Sequence, residues 1–151
     1  MELDHVGLIN RDAAGADRFY RSLLGLEVIK ESSVSPELAG KLFLIDDEIR
    51  MLVYGKDNLK VEVFVLPDFV SPFPAVPHFC ICLPDLSAFL ERAKGEGVKI
   101  VSAERGGRTV HFVEDFSGNR IEVKQENREQ AVNSVQRAAD RPKKRSPKHR
   151  G

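Results

Sequence analysis

Apolar side chains recur at three-to-four spacing twice along the chain: at Ala16, Phe19, Tyr20, Leu23 and Leu24, and again at Leu86, Phe89, Leu90 and Ala93. That spacing lays them along one stripe, so each stretch predicts an amphipathic helix. Each helix runs into a glycine, Gly25 or Gly97, the residue that most easily leaves a helix through left-handed backbone. The remaining segments alternate apolar and polar positions or run apolar for a few residues. "LDHVGLI", "KLFLID", "RMLVYG" and "KVEVFVL" in the first half, and "HFCICL", "VKIVSAE", "TVHFVED" and "RIEVKQ" in the second, predict strands.

Aligning His5 with His78 places Asp12 on Asp85, "ADRFYRSLLG" on "LSAFLERAKGEG", "LEVI" on "VKIV", and Glu62 on Glu122. The chain is one unit written twice. The expected fold is α+β: two βαβββ modules forming a curved mixed sheet. The boundaries are 1–70 for the first module, 71–77 for the linker, 78–126 for the second module, and 127–151 for a basic, largely flexible tail. The proline-rich "DFVSPFPAVP" joins the modules.

A four-stranded sheet with one helix covers one face and leaves the other concave, and period 2 sorts side chains between them. In "KVEVFVL" Val61, Val63 and Val65 oppose Lys60, Glu62 and Phe64; in "NRIEVK" Ile121 and Val123 oppose Arg120, Glu122 and Lys124. Phe79 and Ile81 belong under the helix, which sends His78 to the glutamate side, and Val6 and Leu8 do the same for His5. Four ligand-type side chains therefore line the concave faces. His111 alternates with Val110 and Phe112; with those two assigned under the helix, it is expected to face inward as a proton relay. Arg50 and Arg108 are candidates to bind a substrate carboxylate or phosphate, and Gly106 and Gly107 suggest a loop at the cavity mouth.

Composition narrows the function classes. The chain has 151 residues, 42% hydrophobic, enough for one good core. No stretch approaches the roughly 18 consecutive apolar residues of a membrane span, and the N-terminus reads as no secretion signal. A cytoplasmic protein without membrane attachment is expected. Cys80 and Cys82 lie two apart in a strand, about 6.5 Å, near the limit for a bridge, and are read as reduced thiols. The zero net charge hides a split: from Asn127 onward there are eight Lys/Arg against two Asp/Glu, and before it fifteen against twenty-one. The tail is expected to be solvated after a short helix over "REQAVNSVQRAA"; contact with anionic surfaces is open to it, whereas nucleic acid is a weak candidate partner.

"LDHVGL", "FYRSLLGLEV", "VEVF", "PHFCICLPDL" and "FVEDFSGNRIEV" together resemble the vicinal oxygen chelate superfamily, which includes glyoxalase I, methylmalonyl-CoA epimerase, extradiol dioxygenases, and the fosfomycin and bleomycin resistance proteins. The resemblance covers residues 2–125, with Phe116 where the family motif usually has proline. It implies the glyoxalase-like fold and a divalent metal (Zn, Ni, Co, Mn or Fe) held by His5, Glu62, His78 and Glu122, with positions left for a bidentate oxygen substrate. Two imidazoles and two carboxylates suit those metals on chemical grounds as well.

Of the members, His-Glu-His-Glu is most similar to glyoxalase I, a metal-dependent lyase or isomerase that stabilises an enediolate. The likeness implies Glu122 as the base and Glu62 as the group returning the proton. Ile9 and Leu66 stand where bacterial glyoxalases carry residues for glutathione, which argues against that thiol. Two alternatives come from other classes: an extradiol-type dioxygenase, which requires ferrous iron and needs no carboxylate at the Glu62 position, and a non-catalytic drug-binding protein, which needs no metal ligands. The small-molecule site lies either within one chain or between two, and a homodimer is expected.

Overall fold

The computed structural model describes residues 3–70 and 77–126. Most of the linker and the whole basic tail, including the helix expected over "REQAVNSVQRAA", lie outside the described residues. Module 1 comprises β1 (Val6–Asn10), α1 (Ala13–Ala16) running on into a π-helical segment (Asp17–Leu23), β2 (Glu27–Val34), α2 (Pro36–Phe43), β3 (Ile49–Lys56) and β4 (Leu59–Val65). Module 2 comprises β5 (His78–Leu83), α3 (Leu86–Gly95), β6 (Lys99–Arg105), β7 (Arg108–Glu114) and β8 (Arg120–Gln125). Each half forms a four-stranded mixed sheet, ordered β1-β4-β3-β2 and β5-β8-β7-β6, in which the first strand runs parallel to the last and the other pairs are antiparallel.

The repeated aspartates are helix caps. Asp12 accepts a hydrogen bond from the Gly15 amide, and Asp85 accepts one from the Ala88 amide at 2.9 Å, each satisfying a donor that the first helical turn leaves free. Gly25 (φ +70°) and Gly97 (φ +74°) close the corresponding helices in left-handed backbone.

The two helices and the covered faces of both sheets share one core. Phe19, Tyr20, Val61 and Val63 from module 1 and Phe89, Val113, Ile121 and Val123 from module 2 are buried in a single cluster. Each aromatic or large aliphatic side chain buried there contributes about 1.5–3 kcal/mol.

Polar groups fix how the modules meet. The buried Asp115 carboxylate accepts hydrogen bonds from the Tyr20 hydroxyl (2.7 Å), Asn10 Nδ2 (3.0 Å) and Asn119 Nδ2 (2.8 Å), and from the amides of Ser117 and Asn119. Burial, reinforced by that carboxylate, pushes the Tyr20 phenol well above its ordinary range. At the rim Arg18 stacks on the Phe116 ring at 4.4 Å and donates to Glu96.

The strand expected over "KLFLID" is not formed. Ser35 caps the Leu38 amide and Pro36 occupies the first helical turn, so Lys41–Phe43 become the end of α2, while the second strand is Glu27–Val34. The helix sits on the concave side of module 1 over a small second core of Val34, Ala39 and Ile49, flanked by Met51, Phe64 and Leu66.

Candidate metal centre

Strand register defines the concave faces residue by residue. In module 1 Glu62 pairs with Gly7 on β1 and Val53 on β3; in module 2 Glu122 pairs with Cys80 on β5 and Phe112 on β7. His5 and His78 each stand two positions before the partner of the glutamate, so their rings fall on the glutamate's face. The geometry bears this out: His5 Nε2 is 3.4 Å from Glu62 Oε2, and His78 Nε2 is 3.7 Å from Glu122 Oε2. The opposite faces carry the buried valines and Ile121, as the alternation requires.

The four expected ligands thus come together as two pairs, not as one set. Among the described residues no group of three or more His, Cys, Asp and Glu side chains converges closely enough to hold a cation. Each module contributes one imidazole and one carboxylate, half of what a four-ligand site requires.

The surroundings of the pairs differ. His5 Nδ1 lies 3.1 Å from Asp4, whose other oxygen accepts from Lys60. The His78 ring instead packs edge-on against Phe112, with centroids 5.0 Å apart. Glu122 is the more enclosed glutamate, 15% exposed against 25% for Glu62, and it pairs with Lys124 at 3.0 Å. The hydrogen bond to Glu122 raises the lysine above its usual range. Cys80 shares this face; burial first, then the Glu122 charge, pushes its thiol up. Both cysteines are free and exposed. One row below, burial alone would raise Glu114, but hydrogen bonds from Arg120 and Lys99 outweigh it and hold its carboxyl below the usual range.

Two expected site residues lie elsewhere. His111 pairs with Val123 across the β7–β8 ladder and contacts Ser102 Oγ at 2.8 Å, which puts it on the helix side. Phe112, not His111, faces Glu122. Arg50 pairs with Val65, also on the helix side, and is tied to Glu31 at 2.7 Å. Arg108 does alternate onto the Glu122 face. It begins β7 opposite Arg105 across the two-residue turn Gly106-Gly107, whose positive φ values (+59° and +76°) make this a tight hairpin and not an extended loop. Asp4, which sequence reasoning passed over, is the additional polar group beside the site; its place directly before His5 was the available signal.

A cavity of about 520 Å³ opens along β1, with His78, Arg120 and the Ser117–Asn119 turn on its other side. No helix among the described residues is long and apolar enough to cross a membrane.

The family model described as Glyoxalase/Bleomycin resistance protein/Dioxygenase superfamily matches residues 2–123. Among solved structures, Leishmania major glyoxalase I, a trypanothione-dependent enzyme, is similar at 20% identity and TM-score 0.64, over 92% of this chain and 98% of that one. A glyoxalase family protein from Enterococcus faecalis aligns at 18% identity and TM-score 0.63 (81% and 95%). The fosfomycin resistance protein FosX from Listeria monocytogenes aligns at 16% identity and TM-score 0.62 (86% and 97%). At such identities the likeness is one of fold. Among curated proteins none matches the chain.

Proposed function

The chain belongs to the glyoxalase, bleomycin resistance protein and dioxygenase superfamily, and from that premise we propose that it is a divalent-metal-dependent lyase or isomerase of the glyoxalase I kind, acting as a homodimer on a small substrate with two adjacent oxygens. The observation that carries this reading is the pair of repeat-equivalent His–Glu couples, His5 with Glu62 and His78 with Glu122. The donor set fits Zn, Ni, Co, Mn or Fe. Because each couple supplies two ligands and the couples do not converge within the described part of one chain, the module 1 couple of one chain is completed by the module 2 couple of a second copy. The bound metal would polarise the substrate oxygens and stabilise the negative charge that develops when a proton leaves the neighbouring carbon.

The protein's own residues divide the remaining work. Glu122 takes the proton from one carbon, and Glu62 in its protonated form delivers one to the neighbouring carbon from the opposite wall, the two carboxyls exchanging protons with solvent between turnovers. The Phe112 ring fixes the His78 imidazole edge-on. Phe64 and Met51, roofed by Phe43 of α2, offer an apolar wall beside Glu62. On the module 2 side Lys124 and the opposed Arg105 and Arg108 offer a basic one. Like charges facing each other across a hairpin end favour an anion between them, so a carboxylate or phosphate on the substrate is read there. His111 and Arg50, on the far faces, take no part.

Subunit complementation tests the reading. Chains carrying His5→Ala with Glu62→Gln are mixed with chains carrying His78→Ala with Glu122→Gln, and exchanged through mild denaturant. A shared site leaves both parents without metal or turnover and gives the mixed dimer one complete site; hemithioacetal turnover and one zinc, cobalt or nickel per dimer are the expected results. A mixture as metal-free as its parents overturns the shared site, and wild-type protein containing iron and consuming oxygen with catechols overturns the reaction class.

A further inference from the structure

We propose that Asp4 is a positioning residue for His5, fixing its Nδ1 as the hydrogen-bond donor so that Nε2 is the nitrogen presented beside Glu62. The inference rests on the metal reading above and adds to it an outer partner for the module 1 histidine. Asp4 Oδ2 lies 3.1 Å from His5 Nδ1, while Nε2 points to the Glu62 carboxylate at 3.4 Å. The second Asp4 oxygen is held by Lys60, two residues before Glu62 on the same strand face. Lys60, Asp4, His5 and Glu62 thus form one chain of contacts, in which the aspartate is gripped at both oxygens and the ring at both nitrogens.

An imidazole has two nitrogens, and a ligand histidine whose other N–H is bound to a carboxylate is fixed in both tautomer and orientation. The repeat offers an internal contrast. The position before His78 is Pro77, whose ring has no hydrogen-bonding group, so the carboxylate found before His5 has no counterpart at that place in the sequence; the His78 imidazole packs edge-on against Phe112.

The test uses full-length protein with zinc as the probe. Affinity is measured by competition with a chromophoric chelator, and ¹⁵N NMR of the histidines identifies the coordinating nitrogen. In wild type His5 is expected to coordinate through Nε2. Asp4→Ala should lower zinc affinity about 10–100-fold and add an Nδ1-coordinated population. Asp4→Asn, which keeps an acceptor without the charge, should fall between the two. His78 signals should be unchanged throughout. Wild type that takes up no zinc overturns the metal reading itself. Wild type that binds zinc while Asp4→Ala stays within about twofold of it, with Nε2 still the ligand, overturns only the role of Asp4. Equal losses in Asp4→Asn and Asp4→Ala with the coordinating nitrogen unchanged also overturn it, since charge and not hydrogen bonding would then be responsible.

Discussion

Module 1 carries α2 between its second and third strands, where module 2 turns in two residues, Gly106 and Gly107. One insertion accounts for much of the contrast between their concave faces. Beyond Glu62 the module 1 face continues as Phe64 and Met51 under the helix; at the matching rows beyond Glu122, module 2 presents Lys124 and Val110 and then the arginines of the hairpin. Duplication preserved the His–Glu couple and left the walls free to diverge. The shared couple keeps the same donor types in both halves, while the walls give one half apolar and the other basic surroundings.

The comparison is broken most severely at the junction. Asp115→Ala removes a buried acceptor from five donors, and losing one partner of such a network costs about 3–5 kcal/mol. Urea denaturation should show a lower midpoint and still a single transition, because both modules share the core; an early transition confined to module 2 would mean that they are separable. Next in size is Phe64→Lys, which gives module 1 the residue that module 2 has at the equivalent row. It removes the ring contact with Phe43 (5.3 Å) and part of the second core, at a cost of about 2–4 kcal/mol. Steady-state kinetics should show KM rising for substrates with apolar substituents and changing little for polar ones.

Glu114 sharpens the contrast further, since its row in module 1 holds Gly55. Its native carboxyl titrates below the 4.5 of the unfolded chain, so its contribution is complete above pH 4.5 and is lost as pH falls through the lowered native value. Glu114→Gln should therefore cost about 1–2 kcal/mol at pH 7 and converge with wild type in strong acid, as thermal melts across pH would show. The smallest effect is expected at Leu44, which ends α2 at φ +61° and is 90% exposed. Leu44→Gly relieves left-handed strain and adds unfolded-chain entropy, a net gain of about 0.5 kcal/mol, measurable as a slight rise in Tm.

Period 2 carried the sequence reading far where one face was plainly apolar. The valines of β4 and the Ile121–Val123 pair fixed both glutamates, and Val6, Leu8, Phe79 and Ile81 fixed both histidines. It failed on β7, where Val110 and Phe112 are as apolar as Val113, so alternation could not say which set lay under the helix. Phe112 is apolar because it packs on His78, a contact invisible before the strands are paired. "KLFLID" misled for a related reason: a short apolar run reads equally as strand or helix, and the decision lay upstream in Ser35 and Pro36. The Asp115 junction was not legible, because Tyr20 and Asn10 come from the other repeat. That the two couples stay apart within the described part of the chain is likewise a matter of how the modules face each other, which alternation within a strand does not encode.

Phe19 of the first repeat and Phe89 of the second fill the same interior, and this limits what descent from a duplicated half can do. Severed within the linker, each fragment would bare the helix stripe that now meets its sibling, so neither would persist as a folded species by itself. A volume change at one of these rings must be answered at neighbours encoded in the opposite half, which binds the mutational histories of the two copies together even where their outer walls have gone separate ways.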